Sequence, residues 1–159
     1  MDDHSGKSKP QILEELHATA EAKVKSYSYA KPSGVNSAKG VVRLGQCDYV
    51  RADVQIVKKD GGENNLHYHS NGEGFWMVLK GRVRFYGPGD VVLGEFGPQE
   101  GIITPVYSRY WFENAGDEDL EILHINAQVN AAITNSGRTD LEAQKFKIDT
   151  AQMFGAQGG

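Results

Sequence analysis

The sequence predicts an all-β chain, an antiparallel sandwich or barrel with an N-terminal helix and a loose C-terminal tail, from three observations. From Val41 onward, short alternating or apolar runs recur, among them "YVRADVQIV", "FWMVLKG", "RVRFYGPGD", "YWFENAG" and "LEILHIN". Glycine and proline separate them at intervals too short for crossover helices. Before this texture begins, residues 8–25 read as a helix: Ser8 and Gln11 have capping-box spacing, and Leu13, Leu16, Ala20 and Val24 recur on one face. The whole chain has 159 residues, enough for one domain with a single sizeable core. The expected organisation is a tail, helix and loop over 1–40, a barrel over 41–127 and an extension over 128–159. In that extension Thr139 and Glu142 again have capping spacing, which predicts a short helix starting at Thr139.

Composition excludes several classes of function. A net charge of -4 with acidic and basic residues well mixed leaves no basic stripe to follow a phosphate backbone, so nucleic acid is not an expected partner. No apolar run approaches the roughly 18 residues of a membrane span, and the polar start "MDDHSGKSKP" lacks the apolar stretch of a secretory signal. Cys47 is the one cysteine, so no intrachain disulfide forms, and a reducing cytoplasm is the expected location. The lone thiol is expected to be a buried packing residue. "GKS" at 6–8 imitates the end of a phosphate-binding loop, but the glycine required five positions earlier falls on Met1.

The chemistry concentrates in "GENNLHYHSNGEGFWMVLKG", residues 62–81. In a strand, residues i and i+2 point to the same face, so His67 and His69 share a direction and Tyr68 takes the other. This is a chelating geometry, or else a polar hairpin with two solvent-facing histidines. Glu73 follows after a short turn. Two neutral imidazoles and one carboxylate on one side of a metal leave open positions for water, substrate or dioxygen, as in non-heme iron sites.

The same stretch resembles the first motif of the cupins, small jelly-roll barrels. That motif consists of a glycine, H-x-H after five residues, a glutamate three or four residues on, and a closing glycine; Gly61 and Gly81 hold the flanking positions here. The resemblance implies His67, His69 and Glu73 as metal ligands. In the commoner four-residue spacing the ligand position is Gly74. The three-residue spacing, as in acireductone dioxygenases, selects Glu73 and leaves one extra residue before Gly81, for which a bulge near Gly72 to Gly74 is expected. "GPQEGIITPVYSRYWFEN" resembles the second motif, with Pro105 and Asn114 in the expected places. Gln99 and Tyr107 stand where that motif has glycines, and Tyr110 stands where it has a fourth, histidine ligand. Tyr110 is therefore expected to bind metal as phenolate, to act as catalytic proton donor, or to fill the core.

Other residues carry subsidiary expectations. His124 alternates with Ile122 and Asn126 and either replaces the lost ligand or packs in the core; His17 and His4 are expected in solvent. The resemblance implies that Trp76 and Val78 face the cavity, while Phe75, Met77 and Leu79 face outward under the N-terminal helix or a second subunit, since cupins commonly dimerise. Arg82 and Arg84 either turn inward to hold a carboxylate or lie in solvent. The resemblance implies a metal-dependent enzyme acting on a small organic substrate, most commonly a dioxygenase, with divalent iron or else manganese, nickel or zinc. The alternatives are an isomerase or lyase at the same metal, or a non-catalytic cupin that binds a small molecule or a metal. A metal-independent epimerase of this fold would need a histidine paired with an acid.

Overall fold

A computed structural model describes residues 5–156. Helix α1 (Lys9–Glu21) begins as the capping box predicts: the Gln11 backbone N–H donates to the Ser8 hydroxyl, and the Ser8 N–H donates to the Gln11 side chain. It ends at Glu21, short of residue 25. No residue of α1 is buried, so its apolar positions do not cover the outer face of the strand at 75–79, where Phe75 and Leu79 remain exposed.

Eleven strands follow: β1 (Lys39–Gln46), β2 (Val50–Val57), β3 (His67–His69), β4 (Gly72–Lys80), β5 (Val83–Tyr86), β6 (Val92–Phe96), β7 (Gly101–Thr104), β8 (Trp111–Asn114), β9 (Leu120–Gln128), β10 (Arg138–Asp140) and β11 (Gln152–Gly155). They form a six-stranded sheet in the order β11-β1-β2-β9-β4-β7, a three-stranded sheet β6-β5-β8 and a two-stranded sheet β10-β3. Pairing is antiparallel throughout except between β1 and β11. A 3-10 turn at Pro88–Asp90 lies between β5 and β6.

Two apolar clusters lie on opposite faces of the large sheet, and their alternation fixes which residues point inward. The inner cluster joins Val57, Trp76, Val78, Leu120 and Ile122 to Val83, Phe85 and Phe112 of the three-stranded sheet, so the two sheets pack face to face. The outer cluster of Val35, Val42, Val54 and Ile56 is covered by Tyr29 and Phe154 from the flanking segments. The C-terminal segment is thus not a loose tail. Thr139 lies in β10 opposite Tyr68 rather than opening a helix, and β11 adds a parallel edge to β1. Cys47 is exposed rather than buried, because it sits in the turn joining β1 to β2.

Backbone conformation explains part of the second motif. Gln99 (φ 69°) and Tyr107 (φ 67°) adopt the left-handed region at the two positions where the resemblance calls for glycine. The local path is kept without the residue that adopts it most readily. Both backbone N–H groups are used, Gln99 donating to Val78 O at 2.8 Å and Tyr107 to His69 O at 2.8 Å. Tyr107 also stacks on Tyr68, with ring centroids 5.9 Å apart. The exposed Gln99 has no such contact, so Gln99→Gly removes a conformational cost of about 1–2 kcal/mol against an entropic one of about 0.5–1 kcal/mol. Urea denaturation should show a gain of up to about 1 kcal/mol, and a loss of similar size would contradict the assignment.

Candidate functional site

The site is built where β3 meets the segment that leads into β8, just before the start of β4. The Tyr110 N–H donates to His67 O at 3.0 Å and the His67 N–H to Tyr110 O at 3.2 Å, which clamps β3 against the 105–110 loop. Consequently His67, His69 and Tyr110 face one another: ring centroids lie 5.0 Å apart for His67 and His69, and 4.5 Å apart for His67 and Tyr110. Tyr68 points away, as expected of the intervening residue. His124 also faces inward, stacked on Trp76 at 3.9 Å with rings 15° from parallel.

Glu73 does not join them. Along β4, Gly72, Gly74, Trp76 and Val78 are buried while Glu73, Phe75 and Leu79 are exposed, so the carboxylate lies on the outer face. Gly72, Glu73 and Gly74 pair in unbroken register with Gln128, Ala127 and Asn126; the irregularity falls between Val78 and Lys80. The extra residue before Gly81 is therefore absorbed near Leu79. A bulge there lies too far along to reverse the parity at position 73, which is the physical reason that this expected ligand faces solvent. Nor can position 74 supply a ligand as built, because a Cβ on Gly74 would lie 2.4 Å from Thr104 Oγ1 and 2.9 Å from Trp76 Nε1.

The imidazoles are held neutral. His67 donates its Nδ1–H to Asn65 O at 2.7 Å, leaving Nε2 with a free lone pair. His69 Nδ1 is bonded to the Ser136 hydroxyl at 2.8 Å. Burial, followed by the charge of Arg138, lowers the pKa of His67 to about 3 and that of His69 to about 4. Burial likewise lowers His124 to about 3. Burial drives the pKa of Tyr110 up to about 12, so its hydroxyl is protonated at neutral pH.

These residues fit a 2-His-1-carboxylate metal centre only in part. Two imidazoles with anchored Nδ1 atoms match the way proteins orient metal-bound histidines, but the third donor is missing. Among the described residues no three His, Cys, Asp or Glu side chains are grouped so as to hold a metal ion. Asp53, opposite His124 in register, places Oδ1 3.9 Å from His124 Nδ1. That separation is too long for the hydrogen bond that would orient a base.

The structure adds residues that the sequence pattern did not single out. Arg51, Asp53 and Gln55 alternate on the inner face of β2, and Lys39 and Arg43 share that face from β1. Alternation of polar with apolar residues in "RADVQIV" ordinarily marks a half-solvated strand, so nothing in the pattern tells a polar interior from a wet exterior. Arg82 and Arg84, by contrast, are outside, bridged to Glu95 at 3.9 and 3.3 Å. His17 is exposed, and His4 lies outside the described residues.

No protein-family model matches the chain, and no curated protein matches it. Solved structures do. An uncharacterized conserved protein with a double-stranded β-helix domain from Klebsiella pneumoniae superposes with a TM-score of 0.61 at 19% identity, over 77% of this chain and 96% of that one. An RmlC-like cupin from Desulfovibrio desulfuricans gives 0.55 at 20% identity, over 65% and 96%. An oxalate oxidase in complex with the substrate analogue glycolate gives 0.53 at 16% identity, over 71% and 60%. These likenesses establish the cupin double-stranded β-helix as the fold. Among the described residues no helix is long and apolar enough to cross a membrane.

The neutral histidines make stability depend on pH. The unfolded chain takes up these protons near pH 6.5, whereas the folded chain takes them up only near 3 to 4. Stability present at neutral pH is therefore lost as pH falls from about 6.5 toward 4. Urea denaturation from pH 7.5 to 4.5 should show this slope. His124→Phe, which keeps a ring against Trp76, removes one titration and should flatten it; an unchanged slope would contradict the burial of His124 in its neutral form.

Proposed function

We propose that this chain, a cupin by fold, is a small-molecule-binding protein whose barrel interior works without a three-ligand metal centre. One observation carries the reading: the carboxylate of Glu73 stands on the exposed face of β4 while the inward position beside it is Gly74, walled by Thr104 and Trp76. Tyr110 supports it too, because its ring is buried in the inner cluster against His67, Trp76 and Phe85. What remains for binding is the partly exposed end of the inner face, where His69, Arg51 and Gln55 are incompletely buried. A pocket with a few convergent polar groups against an aromatic wall is the usual form of a small-molecule site.

A second reading is the metal-dependent enzyme of dioxygenase type, or an isomerase or lyase, with iron, manganese, nickel or zinc. The observation in its favour is the anchoring of both Nδ1 atoms, by Asn65 O and the Ser136 hydroxyl, which for His67 leaves the Nε2 lone pair available as a donor. It requires a third donor from outside the set described above. A homodimer remains the proposed assembly, since Phe75 and Ile103 leave apolar surface exposed on adjacent strands.

Elemental analysis of protein purified without chelator separates the two. The first reading predicts substoichiometric iron, manganese, nickel and zinc, with no further fall in His67→Ala/His69→Ala. One metal ion per chain, removed by that double substitution, would overturn it in favour of the enzyme.

A further inference from the structure

Helix α1 presents an apolar face that its own chain leaves open. Leu16 is 49% exposed, and Val24, just beyond the helix on the same face, is 80% exposed. A helix of 13 residues is marginal in water unless such a face is buried. Opposite stand Leu44 of β1 and Val50 of β2, with Cys47 and Tyr49 in the turn between these strands. Leu44 packs on the outer cluster, and Val50 shares the strand face of Val54 and Ile56 in that cluster, so this wall lies outside the barrel. The two walls do not meet. Between them lies a cavity of about 780 Å³, and an exposed ion pair of Lys23 with Asp48 at 3.3 Å bridges it.

Size and lining narrow what the cavity takes. Its volume of about 780 Å³ lies within the roughly 300–1,000 Å³ of small-molecule pockets. A concave space between two elements of one chain suits a slender ligand better than the broad face of a second protein. The apolar side chains on both walls call for a hydrocarbon body, which they would remove from water. The charges call for an anionic end: Lys23 and Lys25 face the single carboxylate of Asp48, and Lys25 has no partner among the described residues.

We infer that this cavity binds a medium- to long-chain fatty acid, its hydrocarbon chain against Leu16, Val24, Leu44 and Val50 and its carboxylate beside Lys25. The bound chain supplies the apolar contact that α1 lacks, and so fastens the helix to the barrel. The site lies outside the barrel and is independent of what the interior holds.

Isothermal titration calorimetry of the full chain with monomeric laurate tests it, with the reactivity of Cys47, which lines the cavity and is exposed, as a local reporter. Laurate should bind saturably, one per chain, and slow the reaction of Cys47 with a maleimide. Decanoate, two methylenes shorter, should bind about tenfold weaker. Dodecyltrimethylammonium, with the same chain and the opposite charge, should also bind more weakly than laurate. Leu16→Asp and Val24→Asp should each weaken laurate by about tenfold. Lys25→Glu should weaken laurate by about fivefold and leave dodecyltrimethylammonium unweakened. All three side chains are exposed, so these variants keep the fold, and an unchanged near-UV circular dichroism spectrum checks this. Laurate that fails to bind, that binds equally well to Val24→Asp, or that leaves Cys47 unprotected would overturn the inference. So would a dimer in sedimentation that Val24→Asp dissociates and laurate does not, which would make a second copy the occupant.

Discussion

Side-chain parity along β4 is the constraint on which the rest of the site depends. Trp76 and Val78 are inserted between the sheets against Phe85 and Phe112, and Leu120 and Ile122 are packed beside them. Slipping the strand by one residue would bring exposed Phe75 and Leu79 inward and expel Trp76 and Val78, losing about 1.5–3 kcal/mol for each buried side chain moved to water. Only after that alternation is fixed does the fate of Glu73 follow. It takes the face of Phe75, and Gly74 takes the face of Trp76.

The interior consequently has an electrostatic character unlike that of a carboxylate-bearing metal centre. Its three histidines are neutral through burial, and Tyr110 is held in its protonated form. The formal charges near them are Lys39, Arg43 and Arg51, which share the one carboxylate of Asp53, and the bridged pair of Arg138 with Asp140. A low-dielectric space in which three cations share one carboxylate favours an incoming anion over an incoming cation. The same fold that places imidazoles at the right positions for a metal therefore surrounds them with charge suited to a different ligand.

Much of this was legible in the sequence, for identifiable reasons. Period-two patterning and turn residues marked the strands and put His67 and His69 on one face, while the inward direction of Trp76 and Val78 came from the resemblance to the cupin motif. The capping pair Ser8 and Gln11 located the start of α1. The outward direction of position 73 was not legible because motif spacing counts residues and does not know where a bulge lies; the irregularity at Val78 to Lys80 is set by pairing with β9, a contact more than forty residues away in sequence. Lys39, Arg51, Asp53 and Gln55 were passed over because a polar strand face looks the same whether it meets water or a polar interior. The C-terminal strands were missed because β10 has three residues and β11 four, each stabilised by a distant partner rather than by its own pattern.

The parity of Glu73 is also the point at which the account can be tested most directly. With exposed Cys47 replaced by serine, Glu73→Cys places one thiol at the disputed position, and its rate of reaction with a maleimide in the native protein can be compared with the rate in urea. An outward residue 73 predicts a native rate within a few-fold of the unfolded one. Strong protection in the native state, released only on unfolding, would put residue 73 inside with His67 and His69 and contradict the account.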